Sequence, residues 1–111
     1  MANSNVGVPP QKSLFGQSGL NAQGPVLDGG DAHSYHSLIV LTSAGVSAGT
    51  VVIELSNDNV NWWGPASNSV TTNAASTVFG VAVGPFPAQY VRSRISLAIT
   101  GGSVTSWIAS A

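Results

Sequence analysis

The clearest pattern in the chain is an alternation of apolar and polar positions within short stretches. In residues 49–56, GTVVIELS, the side chains of Val51, Ile53 and Leu55 alternate with a more polar set. Residues 89–97, QYVRSRISL, alternate in the same way. A period of two places successive side chains on opposite faces of a β-strand. Both stretches are therefore predicted as strands whose two faces have different surroundings.

Further strands are predicted where β-branched and apolar runs lie between turn residues. They are residues 35–43 (YHSLIVLTS), 77–83 (TVFGVAV) and 103–109 (SVTSWIA). The middle of the first run is apolar on both faces, which predicts burial on both sides. Few residues separate it from the strand at 50–56, so we expect these two to pair antiparallel. Residues 70–76 are polar and form either an edge strand or an excursion.

Turn residues separate these strands at short intervals. Ser56-Asn57-Asp58-Asn59 predicts a turn that closes a hairpin with residues 60–63, and Thr100-Gly101-Gly102 predicts a hairpin between the last two strands. No stretch has apolar residues at helical spacing. The pattern predicts an all-β protein, an antiparallel β-sandwich or jelly-roll-like barrel.

The first part of the chain has a different composition. Residues 1–24 are rich in Gly, Pro, Ser, Asn and Gln, and Leu14, Phe15 and Leu20 are isolated apolar residues among them. This segment is either a disordered tail or an extended arm that becomes ordered against a neighbouring subunit, with Phe15 and Leu20 as anchors. We therefore divide the chain into an N-terminal arm, residues 1–24, and a β-sandwich domain, residues 25–111.

Charge is scarce, and this narrows the possible partners. The 111 residues include three Lys and Arg and four Asp and Glu, or 6% charged, where about a quarter is usual. A weakly charged surface has little electrostatic repulsion and favours association with partners. Three basic residues are too few to neutralise a run of phosphates, so we expect no nucleic-acid partner.

Cysteine and long apolar segments are absent from the sequence. Without cysteine there is neither a disulfide framework nor a thiolate metal site. No basic region followed by an apolar run resembles a secretory signal, and the longest strongly apolar run, residues 38–41, is far below the roughly 20 residues of a membrane span. We expect synthesis in a cytoplasm and no membrane partner.

Few residues suggest catalysis or metal binding. His33 and His36 point to opposite faces if they lie on one strand, so hydrogen-bonded or solvated histidines are favoured over shared metal ligation. Asp58 lies in a turn rather than in a complete calcium loop. Glu54 paired with Asp58 or Asp31 would be the only carboxylate pair for glycoside hydrolysis. We expect a non-enzymatic protein without a metal or cofactor.

Aromatic and arginine side chains are the better candidates for binding. Adjacent Trp62 and Trp63 point to opposite faces if extended, which favours one core tryptophan and one at a rim or interface; the alternative is a platform for sugar rings. Arg92 and Arg94 share one strand face with Tyr90. They either pair with Glu54 across strands or reach an acidic partner across a subunit boundary.

Two segments resemble a known group of proteins. GTVVIELSNDNVNW, starting at Gly49, and FPAQYVRSRISLAITGGSVTSWIAS, starting at Phe86, are similar to small virion structural proteins of tailed bacteriophages. In that group an SxDGxNW-like hairpin, a PARYVRARI-like strand and a terminal GG hairpin recur. Asn59 stands where glycine is usual in the first motif. The likeness covers about two-thirds of the chain, from Gly49 onward.

The resemblance implies a head decoration or cement protein. Such a protein would be a homo-oligomeric β-sandwich, a dimer or a trimer, on the outer capsid surface of the virion, where it binds the major capsid protein and stabilises the head lattice. A carbohydrate- or receptor-binding module of a tail fibre or baseplate is the alternative. The candidate partner-binding residues are Leu14, Phe15, Leu20, Trp62, Trp63, Tyr90, Arg92 and Arg94.

Overall fold

A computed structural model describes residues 8–111, which form eight β-strands. These are β1 Val8–Lys12, β2 Leu27–His33, β3 His36–Thr42, β4 Ala48–Ser56, β5 Ser69–Thr71, β6 Val78–Val83, β7 Ala88–Thr100 and β8 Val104–Ser110. No helix occurs within 8–111, and thus none there that could cross a membrane.

The strands form two four-stranded antiparallel sheets with the topology of a jelly roll. One sheet has the order β1-β8-β3-β6 and the other β2-β7-β4-β5. The pairs β1·β8, β2·β7, β3·β6 and β4·β5 are those of one long antiparallel hairpin with β4 and β5 at its tip. Additional pairing of β8 with β3 and of β7 with β4 rolls this hairpin into two stacked sheets. The all-β sandwich predicted from the sequence is confirmed.

Two predicted hairpins are wrong, because the chain changes sheet at both connections. β3 pairs with β6 and β8, whereas β4 pairs with β5 and β7. β7 and β8 also belong to different sheets, so the turn at residues 101–103 is a crossing between layers rather than a hairpin. A short connection limits how far apart two strand ends are, but it allows the next strand to start in the facing sheet as readily as beside the first.

The core lies between the two sheets and consists of the inward positions of the alternating strands. β3 has Leu38 and Val40 on this side, and β4 has Val51, Ile53 and Leu55, all of them fully buried. Val91 and Ile95 of β7 and Ile108 of β8 complete the centre. Burial of these apolar groups, at about 25 cal/mol per Å² of apolar surface, is the main favourable contribution to folding.

Residues 8–24 belong to the sandwich, which corrects the predicted arm for that part of the chain. β1 pairs with β8. Residues 13–22 then form backbone hydrogen bonds first with β8 of one sheet and next with β7 of the other. Here the N–H of Ser13 donates to the Ser106 carbonyl (2.7 Å), and the N–H of Asn21 donates to the Ile95 carbonyl (2.8 Å). Leu14 enters the core with no exposed surface. The predicted arm also includes residues 1–7, which lie outside the described residues.

Candidate functional site

The outer side of the β1-β8-β3-β6 sheet carries apolar side chains that stay partly exposed. Strand register arranges its outward residues in three rows across the sheet. The rows are Lys12–Trp107–Ile39–Gly80, Thr105–Leu41–Val78 and Ala109–Ser37–Ala82, together termed the apolar face. Ile39 is 40% exposed, Leu41 39% and Val78 65%. Lys12 is its single charged residue, and the Lys12 Nζ lies 4.5 Å from the ring centre of the neighbouring Phe15.

A shallow depression of about 300 Å³ occupies one end of the apolar face. Its lining includes the small side chains of Ser37, Ala82 and Ala109 and also Tyr35, which is 58% exposed. Small residues in one row beside larger apolar residues in the next produce this concavity. It has the size and apolar lining to accept a side chain from another protein.

Exposure of Ile39 and Leu41 corrects the prediction that the middle of β3 is buried on both sides. Only the side with Leu38 and Val40 faces the other sheet. The sequence signal for the apolar face was therefore present in the chain as the second apolar side of residues 36–42. It was attributed to burial because a strand with two apolar sides is usually covered on both.

The outer side of the other sheet carries a compact charged cluster. The Glu54 carboxylate on β4 accepts hydrogen bonds from Arg92 Nε (2.9 Å) and from Arg94 Nη2 (3.1 Å) on β7. Burial raises the pKa of Glu54, but hydrogen bonds and charge from Arg94 and Arg92 outweigh it and hold the pKa below its usual value. Of the two predicted alternatives, the structure shows the cross-strand pair.

Trp62 and two amide side chains surround this cluster. The Arg92 guanidinium lies 4.3 Å from the ring centre of Trp62, a cation–π contact that fixes the indole over the sheet. Arg92 also donates to Gln23 Oε1 (3.0 Å), and Arg94 donates to Asn21 Oδ1 (2.9 Å). An aromatic ring beside carboxylate, guanidinium and amide groups forms a mixed polar and aromatic surface, here termed the Trp62 platform.

Asp58 organises the loop that leads to Trp62. Its Oδ1 accepts from the backbone N–H groups of Val60 (2.9 Å) and Asn61 (2.8 Å), and Asn59 adopts a left-handed φ of 60°. These backbone bonds, above all that from Asn61, hold the pKa of Asp58 well below its usual range. The carboxylate is thus committed to the turn, which agrees with the turn interpretation of the sequence rather than a calcium loop.

Trp63 and Trp62 contact different parts of the molecule, as expected for adjacent residues on an extended backbone. The Trp63 ring packs edge-on against Phe86 at 5.4 Å between ring centres and is 41% exposed. Its backbone exchanges two hydrogen bonds with Leu55 (2.9 and 3.0 Å). The expectation of one core tryptophan in this pair is wrong, because both rings lie on the surface.

The two histidines have separate hydrogen-bond partners. His36 is buried, and its Nε2 donates to the Phe86 carbonyl (3.0 Å), so its Nδ1 accepts from the Ser110 hydroxyl (2.7 Å) in the neutral ring. Burial lowers the pKa of His36. His33 Nε2 donates to the Gly29 carbonyl (3.2 Å). Within residues 8–111, no group of three or more His, Cys, Asp or Glu residues is placed to hold a metal ion.

Only part of the predicted partner-binding set comes together in the structure. Trp62, Arg92 and Arg94 meet on the platform. Tyr90 is half-buried on the same strand face. Phe15 and Leu20 are 69% and 58% exposed at separate places along the chain, whereas Leu14 has no surface available to a partner. The predicted partner-binding set contains no residue of the apolar face. The exposed and half-buried members of this face include Ile39, Leu41, Val78 and Trp107.

Comparison with known proteins yields similarity of fold but not of sequence. No protein-family model and no curated protein matches the chain. Among solved structures, CBM32-1 from a family 31 glycoside hydrolase of Clostridium perfringens is 14% identical, with a TM-score of 0.59; the match covers 85% of this chain and 72% of that one. The SPBc2 prophage-derived protein YomS is 13% identical, with a TM-score of 0.52 and coverage of 93% and 96%.

A third match is chitosan-binding module 1, derived from a chitosanase/glucanase of Paenibacillus sp. IK-5. It is 17% identical, with a TM-score of 0.50, and the match covers 96% of this chain and 77% of that chain. At these identities the comparisons establish a shared fold. This fold occurs both in carbohydrate-binding modules and in a prophage-derived protein.

Proposed function

We propose that this chain is a non-enzymatic virion structural protein that decorates a phage head. It binds the major capsid protein through the apolar face, on the outer capsid surface. The observation that carries the proposal is the partial exposure of Ile39, Leu41, Val78 and Trp107 on one nearly uncharged sheet face. Contiguous exposed apolar groups on a folded protein mark sites of protein interaction.

The shape and charge of the apolar face suit a protein lattice as the partner. With Lys12 as its single charged residue, the face gains little from a charged partner such as nucleic acid. The depression beside Tyr35 offers a place for an apolar side chain of the capsid subunit. A capsid also presents many copies of the same binding site. A decoration protein that contacts several capsid subunits at once therefore binds more tightly than each weak contact would allow alone.

Most of the sequence that resembles phage virion proteins lies on two neighbouring strands and a loop beside them. GTVVIELS corresponds to β4, and PAQYVRSRISLAIT corresponds to β7, its direct neighbour over most of its length. The NDNVNW segment is the loop held by Asp58. The resemblance therefore covers the centre of one sheet and its loop, and its last part, GGSVTSWIAS, extends to β8 in the facing sheet.

Co-sedimentation with capsids tests this function. The double substitution Ile39→Thr with Leu41→Thr places β-branched threonines in the strand but removes two apolar contacts. We expect at least about ten-fold weaker binding to expanded particles assembled from the major capsid protein encoded in the same genome. Leu97→Thr is the matched control, because Leu97 is 58% exposed on the other sheet, and it should bind normally. Failure of the unmodified protein to sediment with capsids would refute the proposal.

A carbohydrate-binding module is a second candidate, favoured by the Trp62 platform. Sugar recognition uses an aromatic face together with a few fixed polar groups. Here the indole is held by Arg92, and Glu54 and the amides of Asn21 and Gln23 lie around it. These groups are positioned by bonds within the chain, so their geometry is set before a ligand arrives.

Titration of the protein with a panel of glycans tests this second candidate. We expect a bound glycan to change tryptophan fluorescence, and Trp62→Leu to remove both the change and the binding. Trp107→Leu is the matched control, since Trp107 is also half-buried but lies on the apolar face. A flat response across the panel, or an equal loss with Trp107→Leu, would count against carbohydrate binding at the platform.

A further inference from the structure

The four edge strands of the two sheets differ in how well they are protected from pairing with another chain. An edge strand presents unpaired N–H and C=O groups, and natural sheets block it with proline, charge, irregular register or short length. β1 contains two prolines at residues 9–10, β5 has three residues, and β2 carries Asp28 and Asp31 with a break in its register. Each of these three edges therefore has at least one protective feature.

β6 is the edge strand that lacks such protection. It runs regularly from Val78 to Val83 with the sequence VFGVAV and pairs with β3 on one side. It has neither proline nor charge, and residues 59–91 around it contain no Asp, Glu, Lys, Arg or His. Its outward side chains are exposed, with Val78 at 65%. A regular, apolar and uncharged edge of this kind favours the addition of another strand.

The register of β6 against β3 identifies the backbone groups at the open edge. The N–H of Thr42 donates to the Thr77 carbonyl at 3.0 Å, so Thr77 directs its carbonyl towards β3. Backbone direction alternates along a strand, and Val78, Gly80 and Ala82 therefore direct their N–H and C=O groups away from β3. None of these three N–H groups donates a side-chain or loop hydrogen bond among the described residues.

We propose that β6 pairs antiparallel with β6 of a second copy of this chain, about a two-fold axis at Gly80. In this register Gly80 faces its own equivalent, and Val78 faces Ala82 of the other copy. All three open N–H groups and all three open carbonyls of each strand then find partners. The larger Val78 lies opposite the smaller Ala82, and no like charges meet. A strand that complements itself in this way favours a second copy over an unrelated peptide.

The resulting dimer would have one continuous sheet of eight strands. The apolar faces of both copies would lie on the same side of it, because paired strands share one pleated surface. Of the dimer and the trimer that the resemblance implies, this arrangement selects a two-fold dimer, with β6 as its interface. The inference depends on the edge of β6 alone and does not require the capsid role.

Light scattering coupled to size exclusion, over a range of protein concentrations, tests the interface. The double substitution Val78→Lys with Ala82→Lys places lysines opposite each other in both outer pairs and should raise the dimer Kd by roughly ten-fold or more. Ser69→Lys with Thr71→Lys is the matched control, since it adds the same charge at exposed positions of the β5 edge. The control should dimerise as the unmodified chain does.

Amide hydrogen exchange distinguishes the proposed register from other contacts. Protection of the Val78, Gly80 and Ala82 amides should increase with protein concentration in the unmodified chain and not in the Val78→Lys, Ala82→Lys variant. A monomer at all concentrations, a trimer, or a dimer that survives this double substitution would overturn the proposal. So would a β6 edge protected only when a different protein is added.

Discussion

Replacing Leu14 by Ala should lower the free energy of unfolding by about 2–5 kcal/mol, because its side chain is fully buried in the core. This loss of free energy has two parts. One is the lost burial of the removed side-chain atoms, and the other is the cost of the cavity that they leave. Since domains of this size are typically stable by about 5–15 kcal/mol, this one substitution would remove a large share of the total. Urea or guanidinium denaturation, followed by tryptophan fluorescence, measures the change.

Two neighbouring apolar residues provide matched controls for Leu14→Ala. Phe15 is 69% exposed and Leu20 is 58% exposed, so Phe15→Ala and Leu20→Ala should each cost less than about 1 kcal/mol. All three residues have the same polar, glycine-rich sequence context. A Leu14→Ala effect as small as that of Leu20→Ala would mean that this segment is not packed into the sandwich in solution.

The packing of residues 8–24 was not predictable from their glycine-rich composition, which indicates a tail or an arm. The structure shows a different role for one of these glycines, because a Cβ at Gly24 would overlap the backbone carbonyl of Ser13. Glycine is needed there for two chain segments to approach closely. A flexible segment and a segment that packs closely against another are both rich in glycine. The sequence of the segment alone therefore does not distinguish them.

The existence of β3, β4, β6, β7 and β8 was predictable, whereas β1, β2 and the strand partners were not. Alternation identified β4 and β7 because a period of two is a local property of the chain. Pairing in a jelly roll is non-local, as in the contact of Val8 with Ser110, and local spacing carries no information about it. The short connections after β3 and β7 consequently led to two hairpins that the fold does not contain.

The two candidate binding surfaces, the Trp62 platform and the apolar face, were predictable to different extents. Glu54 is the single acidic residue on a well-patterned strand, so its pairing with Arg92 and Arg94 was one of the two alternatives that the sequence offered. The apolar face was not distinguishable from a buried one, because Ile39 and Leu41 look the same in sequence whether another layer covers them or not. Which side of a two-sided apolar strand stays open depends on the number of layers in the fold.

Substitution of Glu54 by Gln should lower the free energy of unfolding by about 1–3 kcal/mol. The side chains of Glu54, Arg92 and Arg94 are 12%, 17% and 25% exposed, so removal of the carboxylate leaves two largely buried guanidinium groups without their anion. The expected loss lies between the roughly 3–5 kcal/mol of a fully buried pair and the 0–1 kcal/mol of a surface pair. Denaturant titration at neutral pH measures it.

The contribution of Glu54 should also depend on pH in a defined direction. Its pKa is lower in the folded protein than its usual value of 4.5, so the unfolded chain binds more protons between these two values. The stabilisation is therefore complete above pH 4.5 and decreases as the pH falls through the folded-state pKa. The stability difference between the unmodified chain and Glu54→Gln should shrink over the same range. The low pKa of Asp58 acts similarly but is common to both proteins and cancels from the comparison.

Asp31→Asn is the control for this experiment, because it removes the same charge from an exposed strand position. It should change the free energy of unfolding by no more than about 0.5 kcal/mol. An equal effect of both substitutions would assign the loss to net charge rather than to the cluster. A Glu54→Gln effect that stays constant from neutral pH into the acid range would show that packing of the side chain, and not its ionised carboxylate, holds β4 and β7 together at this point.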